Sequence, residues 1–85
     1  MNYRILYDPP VEREFAKINR QNTVHIVKVM GSLAKNPRPR RSQKLHGREN
    51  QYRIRIGDYQ VIYVIDDEES FIRVAHIKNR KDVYR

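Results

Sequence analysis

Between Gln51 and Ile65 apolar and polar residues alternate with the period of a β-strand. Tyr52, Ile54 and Ile56 fall on one side, followed by Tyr59, Val61, Tyr63 and Ile65, while Arg53 and Arg55 fall on the other. Gly57-Asp58 interrupts the run where a two-residue hairpin turn fits. That turn sets Ile56 against Tyr59, Arg55 against Gln60 and Arg53 against Ile62. A slip of one residue would turn the whole apolar set to solvent, so the register is strongly specified.

The flanking segments supply the other elements. Asn2–Tyr7 alternates enough for a short strand, and Asp8-Pro9-Pro10 marks a helix start, with Asp8 at the N-cap and Pro9 at the first helical position. Val11, Phe15 and Ile18 recur at helical spacing and predict a helix over 9–19. After the polar link Asn19–Asn22, a second helix is predicted over 22–35, capped by Asn22 or Thr23. Its apolar stripe is Ile26, Val27, Met30, Leu33 and Ala34; His25, Lys28 and Ser32 lie opposite. Asn36-Pro37 ends it, because the residue before proline disfavours helical geometry. A basic loop carrying Arg38, Arg40, Arg41 and Lys44 follows, its far end anchored by Leu45 and Gly47. Three strands are predicted near 51–57, 59–66 and 69–77.

A turn at Asp66–Glu69 would place Ile65 against Ser70 and Ile62 against Arg73. Arg53, Arg55, Gln60 and Arg73 then share the face away from the helices, forming a concavity with three arginines. Ile72, Val74 and His76 fall on the helix-packing face. The expected fold is α+β, in the order β-α-α-β-β-β, with a helical hairpin on one face of a mainly antiparallel four-stranded sheet and a single domain over residues 1–85.

Composition narrows the partners. An 85-residue chain holds one modest core. Apolar residues make up only 39%, so six Tyr and two Phe must supply much of its bulk. A formal charge of +8 favours an acidic partner: nucleic acid, an anionic membrane or an acidic protein. Without cysteine there is neither a disulfide framework nor a thiol nucleophile. No run approaches the roughly 18 apolar residues of a membrane span. The N-terminus lacks a signal peptide's apolar stretch, so an intracellular, cytoplasmic protein is expected.

Two arginines held two residues apart on one strand suit phosphate, since each offers a planar fork of donors that keeps its charge. Near the end of the chain Arg80, Lys81, Tyr84 and Arg85 set a phenol among cations, a combination that serves RNA: phosphates bind the cations, and bases or riboses pack on the ring. Arg40, Arg41 and Lys44, with Arg13, Lys17, Arg20 and Lys28 on the helices, are candidates for sequence-independent RNA contacts, the plainer reading being a solvated basic surface. His46 and Glu49 read as loop residues, His25 and His76 as surface or structural ones, and Asp66–Glu69 as a turn. Neither metal-ligand spacing nor a glycine-rich phosphate loop is present, so no cofactor is expected.

Taken together, Leu45-x-Gly47, the run from Tyr52 to Tyr63 and the closing Arg80-Lys81-Asp82-Val83-Tyr84-Arg85 resemble the RelE/ParE superfamily of toxins from toxin–antitoxin pairs, on the RelE side. The resemblance spans nearly the whole chain. It implies a metal-independent endoribonuclease that cuts mRNA in the ribosomal A site, with an acidic cognate antitoxin as inhibitor and operator DNA reached only through that antitoxin. It assigns the chemistry to Arg53, Arg55, Arg80 and Tyr84, with Lys78 or Lys81 able to share the role of Arg80; Arg73, placed by the strand register, and Gln60 are further RNA contacts. Gln60 stands where the superfamily commonly has an arginine, a loss that Arg73 is placed to offset. The cleavage it implies is attack by the ribose 2′-hydroxyl, giving a 2′,3′-cyclic phosphate and a 5′-hydroxyl. A gyrase inhibitor of the ParE type, or a weak toxin serving as an antitoxin-bound co-repressor, is the alternative.

Overall fold

A computed structural model of the protein describes residues 2–79. Its elements run β1 (Arg4–Tyr7), α1 (Pro9–Phe15), α2 (Arg20–Ser32), β2 (Gln43–Lys44), β3 (Gln51–Ile56), β4 (Tyr59–Asp66) and β5 (Phe71–Asn79). The five strands form one sheet in the order β1-β5-β4-β3-β2. β1 runs parallel to β5, and the other pairings are antiparallel. The expected four-stranded sheet therefore gains a fifth, two-residue strand, β2, where the basic loop ends and pairs with β3.

The helices cover one face. Val11 of α1, which ends at Phe15 and not at 19, Ile18 of the link between the helices, Ile26, Val29 and Met30 of α2 and its C-cap Leu33 pack against Ile54, Ile56, Val61, Tyr63, Ile65, Ile72, Val74 and Ile77. The edge of Tyr7 meets the Phe15 ring with centroids 5.6 Å apart, tying β1 to α1. Asp8 stands at the N-cap of α1 as expected, and its carbonyl accepts from Val11 and Glu12. The carboxylate makes no cap and reaches Arg73 on β5 instead. For α2 the cap is Asn19, whose side chain accepts the Asn22 amide at 2.8 Å, so the helix begins two residues earlier than expected. Val27, expected in the buried stripe, is 43% exposed, and Val29 takes the inward place. The stripe laid on the sheet is Ile26, Val29, Met30 and Leu33.

Pairing between β3 and β4 follows the expected hairpin: Ile56 opposite Tyr59, Arg55 opposite Gln60 and Arg53 opposite Ile62. Gly57 in the turn has φ 58°, a left-handed backbone that glycine adopts without a side-chain clash. Between β4 and β5 the expected register does not hold. β4 runs on to Asp66, so Ile65 faces Ile72 and Val64 faces Arg73. The pairing then jumps from Tyr63–Val74 to Ile62–His76, which leaves Ala75 without a partner in a β-bulge. Past the bulge the faces exchange: Ile77 is buried, and His76 and Lys78 are exposed on the side of Arg73.

Candidate nucleic-acid interface

The polar face of the sheet is built row by row. In register, Arg55 lies opposite Gln60 and Gln60 opposite Lys78; one step along, Arg53 lies opposite Ile62 and Ile62 opposite His76. Neighbouring strands stand about 4.8 Å apart, so each row crosses about 10 Å of surface. The sequence-predicted set Arg53, Arg55, Gln60 and Arg73 does share this face, but Ile62 faces His76 rather than Arg73.

Among the described residues, two depressions lie on this face. One, of about 540 Å³, is lined by Arg40, Arg41, Ser42, Gln43, Arg53 and Arg55. β2 and the loop before it create this groove. Gln43 pairs with Arg53 in the ladder, and its side-chain oxygen accepts a hydrogen bond from the Arg53 guanidinium. Ser42 closes the preceding turn, with its amide 2.9 Å and its hydroxyl 2.8 Å from the Pro39 carbonyl oxygen, which sets Arg40 and Arg41 beside the strand arginines. Four arginines therefore border one groove, and among the described residues its lining includes no carboxylate.

The second depression, about 520 Å³, lies over β4 and β5 and includes Gln60, Ile62, Arg73, His76 and Lys78, with Arg48 and Gln51 at one side and Asp8 at the other. Arg73 is paired there with the Asp8 carboxylate, so part of its charge is already compensated. The three-arginine concavity expected from the sequence is thus two clefts, with Arg73 in the second. Lys44 is in neither; it lines a separate hollow with His46, Arg48 and Glu49. Leu45 anchors that hollow through its amide, 2.9 Å from the Gln51 carbonyl oxygen. Arg80, Lys81, Tyr84 and Arg85 lie outside the described residues. Among the described residues no group of acidic or histidine side chains could hold a metal ion, and no helix is long and apolar enough to cross a membrane.

A clasp that the sequence reading missed holds the basic loop to the body. Arg38 donates to the Tyr52 hydroxyl at 2.9 Å and to Asp67 at 2.8 Å, and its guanidinium lies 5.3 Å from the centre of the Tyr52 ring. The Tyr3 hydroxyl reaches the same carboxylate at 2.6 Å. Hydrogen bonds from Arg38 and then Tyr3 hold the Asp67 carboxyl below its ordinary pKa, while Asp67 as acceptor raises that of Tyr3. Behind the clasp, Tyr52 stacks on Tyr63 with ring centres 5.9 Å apart, and the Tyr63 hydroxyl donates to the Pro37 carbonyl at 2.8 Å. Burial pushes the Tyr63 phenol up. Asp67 thus does more than shape a turn. No local pattern marks it, because its partners are 29 and 64 residues away in sequence.

Helices thus cover one face of the sheet, and the other face is cationic. The family model for the ParE toxin of type II toxin-antitoxin system, parDE, matches residues 5–84. The chain belongs to that family, and it is a toxin of the RelE/ParE superfamily. No curated protein matches it. Among solved structures, the archaeal RelE–RelB complex from Pyrococcus horikoshii superposes with a TM-score of 0.84 at 27% identity, over 94% of this chain and 97% of that one. The RelBE2 toxin–antitoxin complex of Mycobacterium tuberculosis gives 0.81 at 24%, over 94% and 100%. The intact E. coli RelBE complex gives 0.80 at 22%, over 91% and 95%. The latter two likenesses are of fold.

Proposed function

We propose that this toxin is an endoribonuclease that cuts mRNA in the ribosomal A site and so stops translation in the cytoplasm. The observation that carries this reading is the groove in which Arg40, Arg41, Arg53 and Arg55 converge. Cleavage by 2′-hydroxyl attack passes through a phosphorane carrying two negative charges, and fixed guanidinium donors aimed at that charge lower the barrier. Arg53 and Arg55 serve this role from a rigid strand, while Arg40 and Arg41 hold a neighbouring phosphate. Arg80 is assigned to the leaving group's side and Tyr84 to the nucleotide, on the superfamily resemblance. Lys78 and Gln60 extend the same surface toward β5, with Lys81 beyond it. Lys44, away from the groove, is left to general attraction of ribosomal RNA.

The partner that silences the toxin is an acidic antitoxin, since a basic groove of this kind is complemented by carboxylates. Operator DNA is then reached only through the antitoxin. A second reading, inhibition of DNA gyrase, draws support from the ParE family match. Inducible expression followed by mapping of mRNA 5′ ends and of DNA supercoiling separates the two. Codon-phased cuts support the nuclease, with Arg53→Ala slowing cleavage about 100-fold. Intact mRNA with stalled gyrase replaces it by the inhibitor.

A further inference from the structure

Arginine and lysine can stabilise a phosphorane, but a guanidinium stays protonated and cannot remove the proton of the attacking 2′-hydroxyl. A nuclease on this face needs a base, and the bulge at Ala75 supplies one by turning His76 outward. Resting on the nuclease reading above, we propose that the His76 imidazole is the general base. It would take the 2′-hydroxyl proton from a ribose seated over Ile62.

The placement follows from the strand register. Arg53, Ile62 and His76 form one row across β3, β4 and β5, with Gln60 and Lys78 in the next row. A scissile phosphate between the rows meets Arg53 and Arg55 from one side, and its ribose meets His76 from the other, across the half-buried, uncharged Ile62. Among the described residues, His46, Glu49, His25 and Asp8 are worse placed for the role. His46 and Glu49 line the separate hollow beside β2, and His25 is exposed on α2, which covers the opposite face. Asp8 borders the cleft but is engaged by Arg73.

The charged groups around His76 are mixed. Arg73 and Lys78 flank it on β5, Asp8 and Arg48 approach from the cleft rim, and Glu14 of α1 lines a smaller hollow on its other side. From β4 only the uncharged Gln60 and Ile62 face it, and from β3 the row ends in Arg53. Imidazole is the side chain that both accepts and releases a proton near neutral pH. In the step itself the 2′-oxygen forms a bond to phosphorus as its proton passes to the imidazole nitrogen. The bond from phosphorus to the 5′-oxygen breaks, and that oxygen takes a proton from water. A cyclic phosphate and a 5′-hydroxyl result, and the imidazolium returns its proton to solvent.

The test is single-turnover cleavage of mRNA on programmed ribosomes by the full chain between about pH 6 and 9. For the wild type the rate should rise with pH and level off. His76→Gln should cut about 100-fold more slowly or worse and lose that rise. The same variant should bind mRNA carrying a 2′-O-methyl group at the cleavage position within about twofold of wild type. Its circular dichroism spectrum should not change, because the side chain is exposed. His76→Gln with near-wild-type cleavage and an unchanged pH profile would overturn the base assignment alone, as would a defect lying wholly in binding. A wild-type chain that leaves ribosome-bound mRNA intact overturns the nuclease reading and this proposal with it.

Discussion

Gln60 stands directly opposite Arg55 across the β3–β4 hairpin and directly opposite Lys78 across the β4–β5 pair. A neutral amide thus sits between two cations at the centre of the face. Gln60→Arg should add one phosphate contact. Binding to single-stranded RNA should tighten, and the slope of log affinity against log salt should steepen by about 0.7. A salt titration by fluorescence anisotropy reads both quantities. An unchanged slope would mean that nucleic acid does not cross the middle of the sheet.

Arg38 ties the basic loop to Tyr52 and Asp67, and in doing so holds Arg40 and Arg41 at the groove. Arg38→Met removes the ties while keeping much of the side chain's length. Amide hydrogen exchange at Ser42 should accelerate, with β4 and β5 amides unaffected, and RNA affinity should fall although Arg38 lines neither cleft. Equal exchange in variant and wild type would show that the loop is held by its prolines and β2 alone.

Asp67 gives the molecule an acid-side dependence. Arg38 first and Tyr3 second lower its folded pKa below the ordinary carboxylate value of 3.8. A group depressed in the folded state contributes its stability above the unfolded pKa and loses it as pH falls through the folded one. Wild type and Asp67→Asn should therefore differ most in Tm above about pH 5 and converge as pH falls below the depressed value. Parallel Tm curves down to the lowest pH would remove Asp67 from the clasp.

Tyr63 is fully buried, yet its hydroxyl reaches the Pro37 carbonyl. Tyr63→Phe keeps the ring and its stacking on Tyr52 but leaves that carbonyl without this donor, a loss of about 1 kcal/mol. Urea unfolding should show a lower midpoint at constant slope. A variant as stable as wild type would mean that water replaces the hydroxyl.

Much of this architecture is local and was therefore legible. Alternation along β3 and β4 with glycine at the turn determines both the hairpin and its register, because a slip would expose Ile54, Val61 and Tyr63 together. That alone places Arg53, Arg55 and Gln60 on one face. Asp8-Pro9 marks the start of α1 through backbone chemistry, whatever surrounds it. The family resemblance was legible for the same reason: its pattern lies in contiguous runs.

Tertiary structure decided the rest. Apolar residues at Ile72, Val74 and Ile77 break period two, and that spacing was the signal of a bulge. Only pairing with β4 shows that Ala75 is the extra residue and that His76 turns outward. Arg38 and Asp67 meet because the loop folds back over the sheet, and Arg73 is compensated because β1 docks parallel to β5 and brings Asp8 beside it. Sequence by itself settled what each strand presents, since side-chain direction follows local backbone geometry. Which presented groups became neighbours was settled by packing, since contacts between distant segments depend on how the whole sheet closes.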